Sequence, residues 1–143
     1  MTLRIFFLSI CMVAFAMTAK AQNPSLIQEH TPTEIKTFVE THFPKGQITK
    51  YKKKVNLSRV KHEVKLNDKT ELEFDQDFEL TEAEAKFHLP ESIIPQKIVQ
   101  YIQSNYSGAK IEEWEKKSYG QKVELTSGLD LYFDHQGDFM KAD

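Results

Sequence analysis

Two periodicities alternate along this chain. Ile35, Phe38, Val39 and His42 fall at i, i+3, i+4 and i+7, which predicts one apolar helical face. Thr31 is placed to cap that helix, Pro32 suits its first position, Glu34 can close a capping box, and Pro44 ends it. Ile94, Ile98, Tyr101, Ile102 and Tyr106 predict a second helix, with a turn over Leu89 to Ile94, a start near Pro95 and a stop at Gly108. Elsewhere the period is two. Val60, His62, Val64 and Leu66 alternate with Lys61, Glu63 and Lys65, and Leu72 and Phe74 with Glu71, Glu73 and Asp75. Val123 and Leu125 alternate with Lys122 and Glu124, and Leu129, Leu131 and Phe133 with Asp130, Tyr132 and Asp134. Strands with one apolar and one wet face belong to antiparallel sheets. Turns are expected at Asn67 to Lys69, Thr126 to Gly128 and Asp134 to Gly137, the last leading to a short strand around Phe139. Strands are also expected near Ile48 to Val55 and Ile111 to Lys117. There Ile48 and Tyr51, like Ile111 and Trp114, share a face only if a bulge intervenes.

The pattern occurs twice. Pro32, Ile35, Phe38, Val39 and Phe43 match Pro95, Ile98, Tyr101, Ile102 and Tyr106 at a spacing of about 63 residues, and Tyr51 matches Trp114. The spacing then drops to about 59, where Val64, Leu66, Leu72, Phe74 and Asp75 match Val123, Leu125, Leu131, Phe133 and Asp134. A hairpin loop absorbs such a length change, so the longer loop lies near Asn56 to Arg59 and the shorter near Ser118 to Gln121. The expected fold is α+β: two helix-then-antiparallel-hairpin repeats, about 32–80 and 89–141. They form one two-layer domain with both helices on one face of a single antiparallel sheet.

The N-terminus follows a different pattern. Arg4, the apolar run Ile5 to Met17 and the small residues of Ala19-Lys20-Ala21 read as a secretory signal peptide, residues 1–21, cleaved after Ala21. The run is too short for a membrane span. Leu8-Ser9-Ile10-Cys11 lacks the small residue a lipoprotein box needs before its cysteine, so Cys11 reads as ordinary leader. Cleavage leaves residues 22–143 as a single domain without cysteine, which excludes disulfides and cysteine catalysis. It also removes Arg4 and Lys20, taking the net charge from −2 to −4, and an acidic exported chain is a poor nucleic-acid partner.

Leu89-Pro90, Ile98, Tyr101-Ile102, Asn105-Tyr106, Ala109 to Ile111, Val123 to Leu125, Gly128, Leu131, Phe133-Asp134 and Gly137 together resemble the PepSY-like family of small exported bacterial proteins, similar to beta-lactamase-inhibitor protein. The resemblance covers nearly all of the chain after the leader, in two copies. The first copy departs from it at two turns, with Lys69 where the second has Gly128 and Phe78 where it has Gly137. It implies a helix-on-sheet fold and an inhibitor-like or binding role, and carries over no catalytic residue.

Chemistry is sparse. His30, His42, His62, His88 and His135 show no metal-ligand spacing, and His62 falls in phase with the apolar face of its strand. Asp75, Asp77, Asp134 and Asp138 flank equivalent turns without the full oxygen set of a calcium loop, and read as turn formers. No nucleophile motif or glycine-rich phosphate loop occurs, so no enzyme and no cofactor are expected. Lys50 to Lys54 carries a charge run that could meet nucleic acid or an anionic membrane surface, but the acidic total favours a solvated edge strand whose lysines deter edge-to-edge pairing. The expected function is an exported non-enzymatic binding or inhibitor-like module, periplasmic or secreted, that presents the open sheet face to a protein or peptide. The alternatives are a structural envelope-associated protein and an enzyme regulator. The candidate surface comprises Tyr132, Lys122, Glu124 and Asp130 in the second copy and Lys61, Glu63, Lys65, Glu71 and Glu73 in the first. Tyr51 and Trp114 join it if exposed, and pack against the helices if not.

Overall fold

The computed structural model describes residues 30–57 and 59–143; the expected leader lies outside them. Helix α1 (Thr33–His42) is followed by strands β1 (Ile48–Asn56), β2 (Arg59–Leu66), β3 (Glu71–Phe74) and β4 (Leu80–Glu84). A short 3-10 turn (Glu91–Ile93) leads to helix α2 (Gln96–Asn105) and strands β5 (Ile111–Lys117), β6 (Gly120–Leu125), β7 (Asp130–Phe133) and β8 (Phe139–Ala142). The strands form one open antiparallel sheet in sequence order, with β1 and β8 at its edges.

Each helix begins after a proline, Pro32 or Pro95, with no side-chain cap, so Thr31 stands one residue farther out than expected. The helices meet the sheet in the same way. The Phe38 ring stands edge-on to Phe74, with centroids 5.2 Å apart, and Tyr101 stands edge-on to Phe133 at 5.5 Å. Val64, Leu66, Leu72, Phe74, Val123, Leu125, Leu131 and Phe133 are all buried on this side, as their alternation requires. Both expected bulges are present, between Ile48 and Lys50 and between Ile111 and Glu113, so each inward pair shares the apolar face.

The β4 strand was not expected. Leu80 and Ala83 both point inward although two residues separate them, because a register shift after Glu73 interrupts the alternation. This strand joins the two halves, pairing Glu82 with Glu115, Ala83 with Trp114 and Glu84 with Glu113.

The turns recur down to single hydrogen bonds. Asp75 Oδ1 accepts from the Asp77 and Glu79 amides, 3.0 Å each. Asp134 Oδ1 accepts from Gln136 at 2.9 Å and Asp138 at 2.8 Å. These carboxylates are therefore committed to their own backbones. The lost glycines do not change the turns: Lys69 keeps φ +73° where Gly128 has +82°, and Phe78 keeps +62° where Gly137 has +82°. A side chain in the left-handed region is strained. Lys69→Gly is accordingly expected to raise stability by about 0.5–1 kcal/mol, the relief being offset in part by glycine's freedom in the unfolded chain. Urea denaturation measures it, and a loss of stability would contradict the strain.

Candidate functional site

Strand register places the wet-face side chains in two cross-strand rows. The first runs Lys52, Glu63, Glu73, Glu82, Glu115, Lys122, Tyr132 and Lys141, one residue from each strand. The second runs Lys50, Lys65, Glu71, Glu84, Glu113, Glu124 and Asp130. Lysines thus hold the β1 edge, while the second row carries a carboxylate on every strand from β3 to β7. Between the two zones lies a shallow depression of about 300 Å³, lined by Lys50, Lys52, Lys54, Glu71, Glu82 and Glu84 among others.

Where acids neighbour lysines they pair: Lys54 with Glu63, Lys61 with Glu73, and Lys65 with Glu71. At the junction of the halves Glu115 pairs with Lys117, whereas Glu82, Glu84 and Glu113 make no ion pair with described residues. Glu82 is pushed up to about 7, first by burial and then by Glu73 and Glu115, against which Lys61 pulls only weakly. Burial likewise raises Glu113; Lys122 opposes the rise, and Glu124, Glu115 and Glu84 add to it. Lys122 lies 3.2 Å from Asp130 and 3.4 Å from Glu124. Burial lowers the pKa of its ammonium, but Asp130, Glu113 and Glu124 outweigh that and hold it above its ordinary value.

Tyr132 stands on this face as expected, half-buried, with Lys141 Nζ 4.4 Å from its ring centroid and its hydroxyl 3.4 Å from Asp130. Tyr119 adds a neighbouring ring at 6.1 Å that the sequence reading missed. Trp114 and Tyr51 leave the candidate surface. Trp114 is 3% exposed and faces the helices, its Nε1 donating to Gln121 Oε1 at 2.9 Å. Tyr51 lies on the same side, hydrogen-bonded to His62 Nδ1 at 2.8 Å and stacked on that ring. Gln121 thus occupies in the second copy the role of His62 in the first. His62 is buried as expected, and its pKa is lowered by burial and by Lys53. Trp114 helps to line an open cleft of about 700 Å³ on the helix side, with Phe38, His42, Phe78 and His135.

This geometry defines a class: an open antiparallel sheet backed by two helices, whose bare face is a charged field. The chain belongs to the PepSY-like family. The family model described as "Putative beta-lactamase-inhibitor-like, PepSY-like" matches it twice, over residues 17–82 and 60–141. Three crystal structures share the fold. A Bacteroides vulgatus protein described as "putative periplasmic" is 28% identical, with a TM-score of 0.75 over 80% of this chain and 91% of its own. A second from that organism, described as of unknown function, is 30% identical, with a TM-score of 0.73 over 80% and 93%. A Bacteroides thetaiotaomicron protein described as "putative calcium-regulated periplasmic" is 25% identical, with a TM-score of 0.74 over 80% and 91%. No curated protein matches the sequence. Among the described residues no helix is long and apolar enough to cross a membrane.

Proposed function

We propose that this is an exported, non-enzymatic binding module whose open sheet face engages a cationic segment of a protein or peptide. The observation that carries the reading is the unbroken acidic row Glu71, Glu84, Glu113, Glu124 and Asp130 across β3 to β7. Like charges directly opposite one another destabilise a sheet. Lysines offset the ends of the row, Lys65 at Glu71 and Lys122 beside Glu124 and Asp130, and leave Glu84 and Glu113 at its centre without an ion pair to described residues. The family's inhibitor-like description and the periplasmic neighbours support an exported binding role. Regulation by calcium is described for the Bacteroides thetaiotaomicron neighbour. In this chain no three acids or histidines among the described residues converge as a ligand set.

Capture of partners from periplasmic extract, followed by titration, tests the reading. Tyr132→Ala should weaken binding about thirtyfold while costing less than about 1 kcal/mol of stability. Glu84→Lys with Glu113→Lys should abolish binding. Acid provides a second handle. The folded state holds the Glu82 proton more tightly than the unfolded chain, so its favourable contribution is complete below the ordinary value of 4.5 and is lost as pH rises through about 7. Between pH 8 and 5 the melting temperature should therefore rise while affinity for a cationic partner falls, and Glu82→Gln should flatten both trends. A partner whose affinity ignores Tyr132, the charge reversal and pH would refute the proposed face.

A further inference from the structure

The two hairpins that open each sheet half differ at one place. Lys54 opposite Lys61 and Lys117 opposite Gly120 are equivalent rungs. In the second half the chain turns at once through Ser118 and Tyr119. In the first half the ribbon runs on past that rung, through Val55 opposite Val60 and Asn56 opposite Arg59. The extension therefore projects beyond its counterpart and displays apolar side chains. Leu57 is 99% exposed and Val55 66%, and Leu57 sits at φ +53°, a left-handed conformation that a leucine adopts only at a cost.

From Lys52 to Arg59 every charged residue is a cation, while Glu63 lies opposite Lys52 and pairs with Lys54, and Asp75 and Asp77 line a depression shared with Arg59. Lys52 and Lys54 lie on the open face of the ribbon, while Lys53, opposite the buried His62, lies on the helix face; Arg59 stands at the root of the turn. Lys52, Lys53 and Arg59 make no ion pair with described residues. A protein partner would read one face of such a ribbon. Cations on both faces behind an apolar end instead suit a planar anionic surface met end-on, with the leucine below the headgroups and the lysines level with the phosphates. That approach also keeps the acidic rows of β3 to β7 away from the surface.

We propose that the β1–β2 tip adsorbs reversibly to anionic phospholipid, through insertion of Leu57 and Val55 and attraction by Lys52, Lys53 and Arg59. This is a function separate from that of the open face. The test is co-sedimentation of protein recovered from the periplasm with phosphatidylglycerol/phosphatidylethanolamine vesicles, and with phosphatidylcholine vesicles, at low and high salt. Binding is expected to the first only and to vanish at high salt, as an electrostatic attraction must. Leu57→Ser should weaken it about tenfold. Lys52→Glu with Lys53→Glu should abolish it, whereas Lys141→Glu at the opposite edge should leave it unchanged. All variants should melt within a few degrees of the parent, because Lys52, Lys53 and Leu57 are exposed. No binding to phosphatidylglycerol vesicles, or equal binding by the parent and Leu57→Ser, would overturn the proposal. So would a tip that ignores vesicles but crosslinks to an envelope protein.

Discussion

Phe133→Ala should destabilise the protein by about 3–5 kcal/mol, and Phe74→Ala by a similar amount. Both rings are fully buried. Phe133 packs edge-on against Tyr101 of α2 and lies 6.0 Å from Phe139 of β8, so truncation opens a cavity where helix and sheet meet. Phe74 holds the same position under Phe38 of α1. Because β4 and β5 pair across the middle, the halves share one sheet, and both variants should shift a single cooperative transition. Urea denaturation followed by far-UV and near-UV dichroism checks magnitude and cooperativity together. Lys122→Ala is the control. Alternation alone makes Lys122 a solvated residue, yet its side chain is only 18% exposed and lies between Asp130 and Glu124. Its loss should cost about 1 kcal/mol. Equal losses at Lys122 and Phe133 would mean that the register is wrong.

How far the sequence could be read depended on whether neighbouring residues carried the signal. Helices, hairpins, bulges and the unequal loops all follow from apolar periods within a dozen residues and from comparing the copies. The β4 strand does not. Leu80, Thr81, Glu82 and Ala83 offer one large apolar residue, and the bulge breaks the phase that would have exposed the pattern. The clue was the repeat itself, since Leu80 falls where the second copy has Phe139.

Missing β4 also hid the centre of the candidate surface. Tyr132, Lys122, Glu124 and Asp130 were legible as one wet face, but Glu82, Glu84, Glu113 and Glu115 meet only because β4 pairs β5. No local pattern shows that contact. For Trp114 the sequence left exposure and packing open, and the structure takes the packed alternative. Its inward orientation is fixed by a bulge and by Gln121, whose repeat counterpart is a histidine, so the shared role of the two residues leaves no trace in their identities.

Gly120→Ala should be the most damaging single-methyl change in the protein, costing more than about 4 kcal/mol, in the range reserved for local disruption. Gly120 has φ +147°, a conformation closed to residues with side chains, and it follows the two-residue turn after β5. An added Cβ would lie 2.1 Å from the Phe133 carbonyl oxygen and 2.7 Å from the Asp134 Cα. Both are backbone atoms of the neighbouring β7 end, next to the turn that Asp134 caps, so neither can yield without breaking the pairing of β6 with β7. The first copy avoids the problem because Lys61 takes this position in a ribbon that continues instead of turning. Gly128→Ala supplies the comparison. It too starts from a positive φ, +82°, but its Cβ would meet nothing within 4 Å. Only the left-handed penalty of about 1–2 kcal/mol applies there, and Lys69 already bears it in the first copy. The pair measured under the same denaturant separates conformational strain from collision. If Gly120→Ala proved as mild as Gly128→Ala, the close approach of the β5–β6 turn to β7 would not exist, and the tight second hairpin would have to be redrawn.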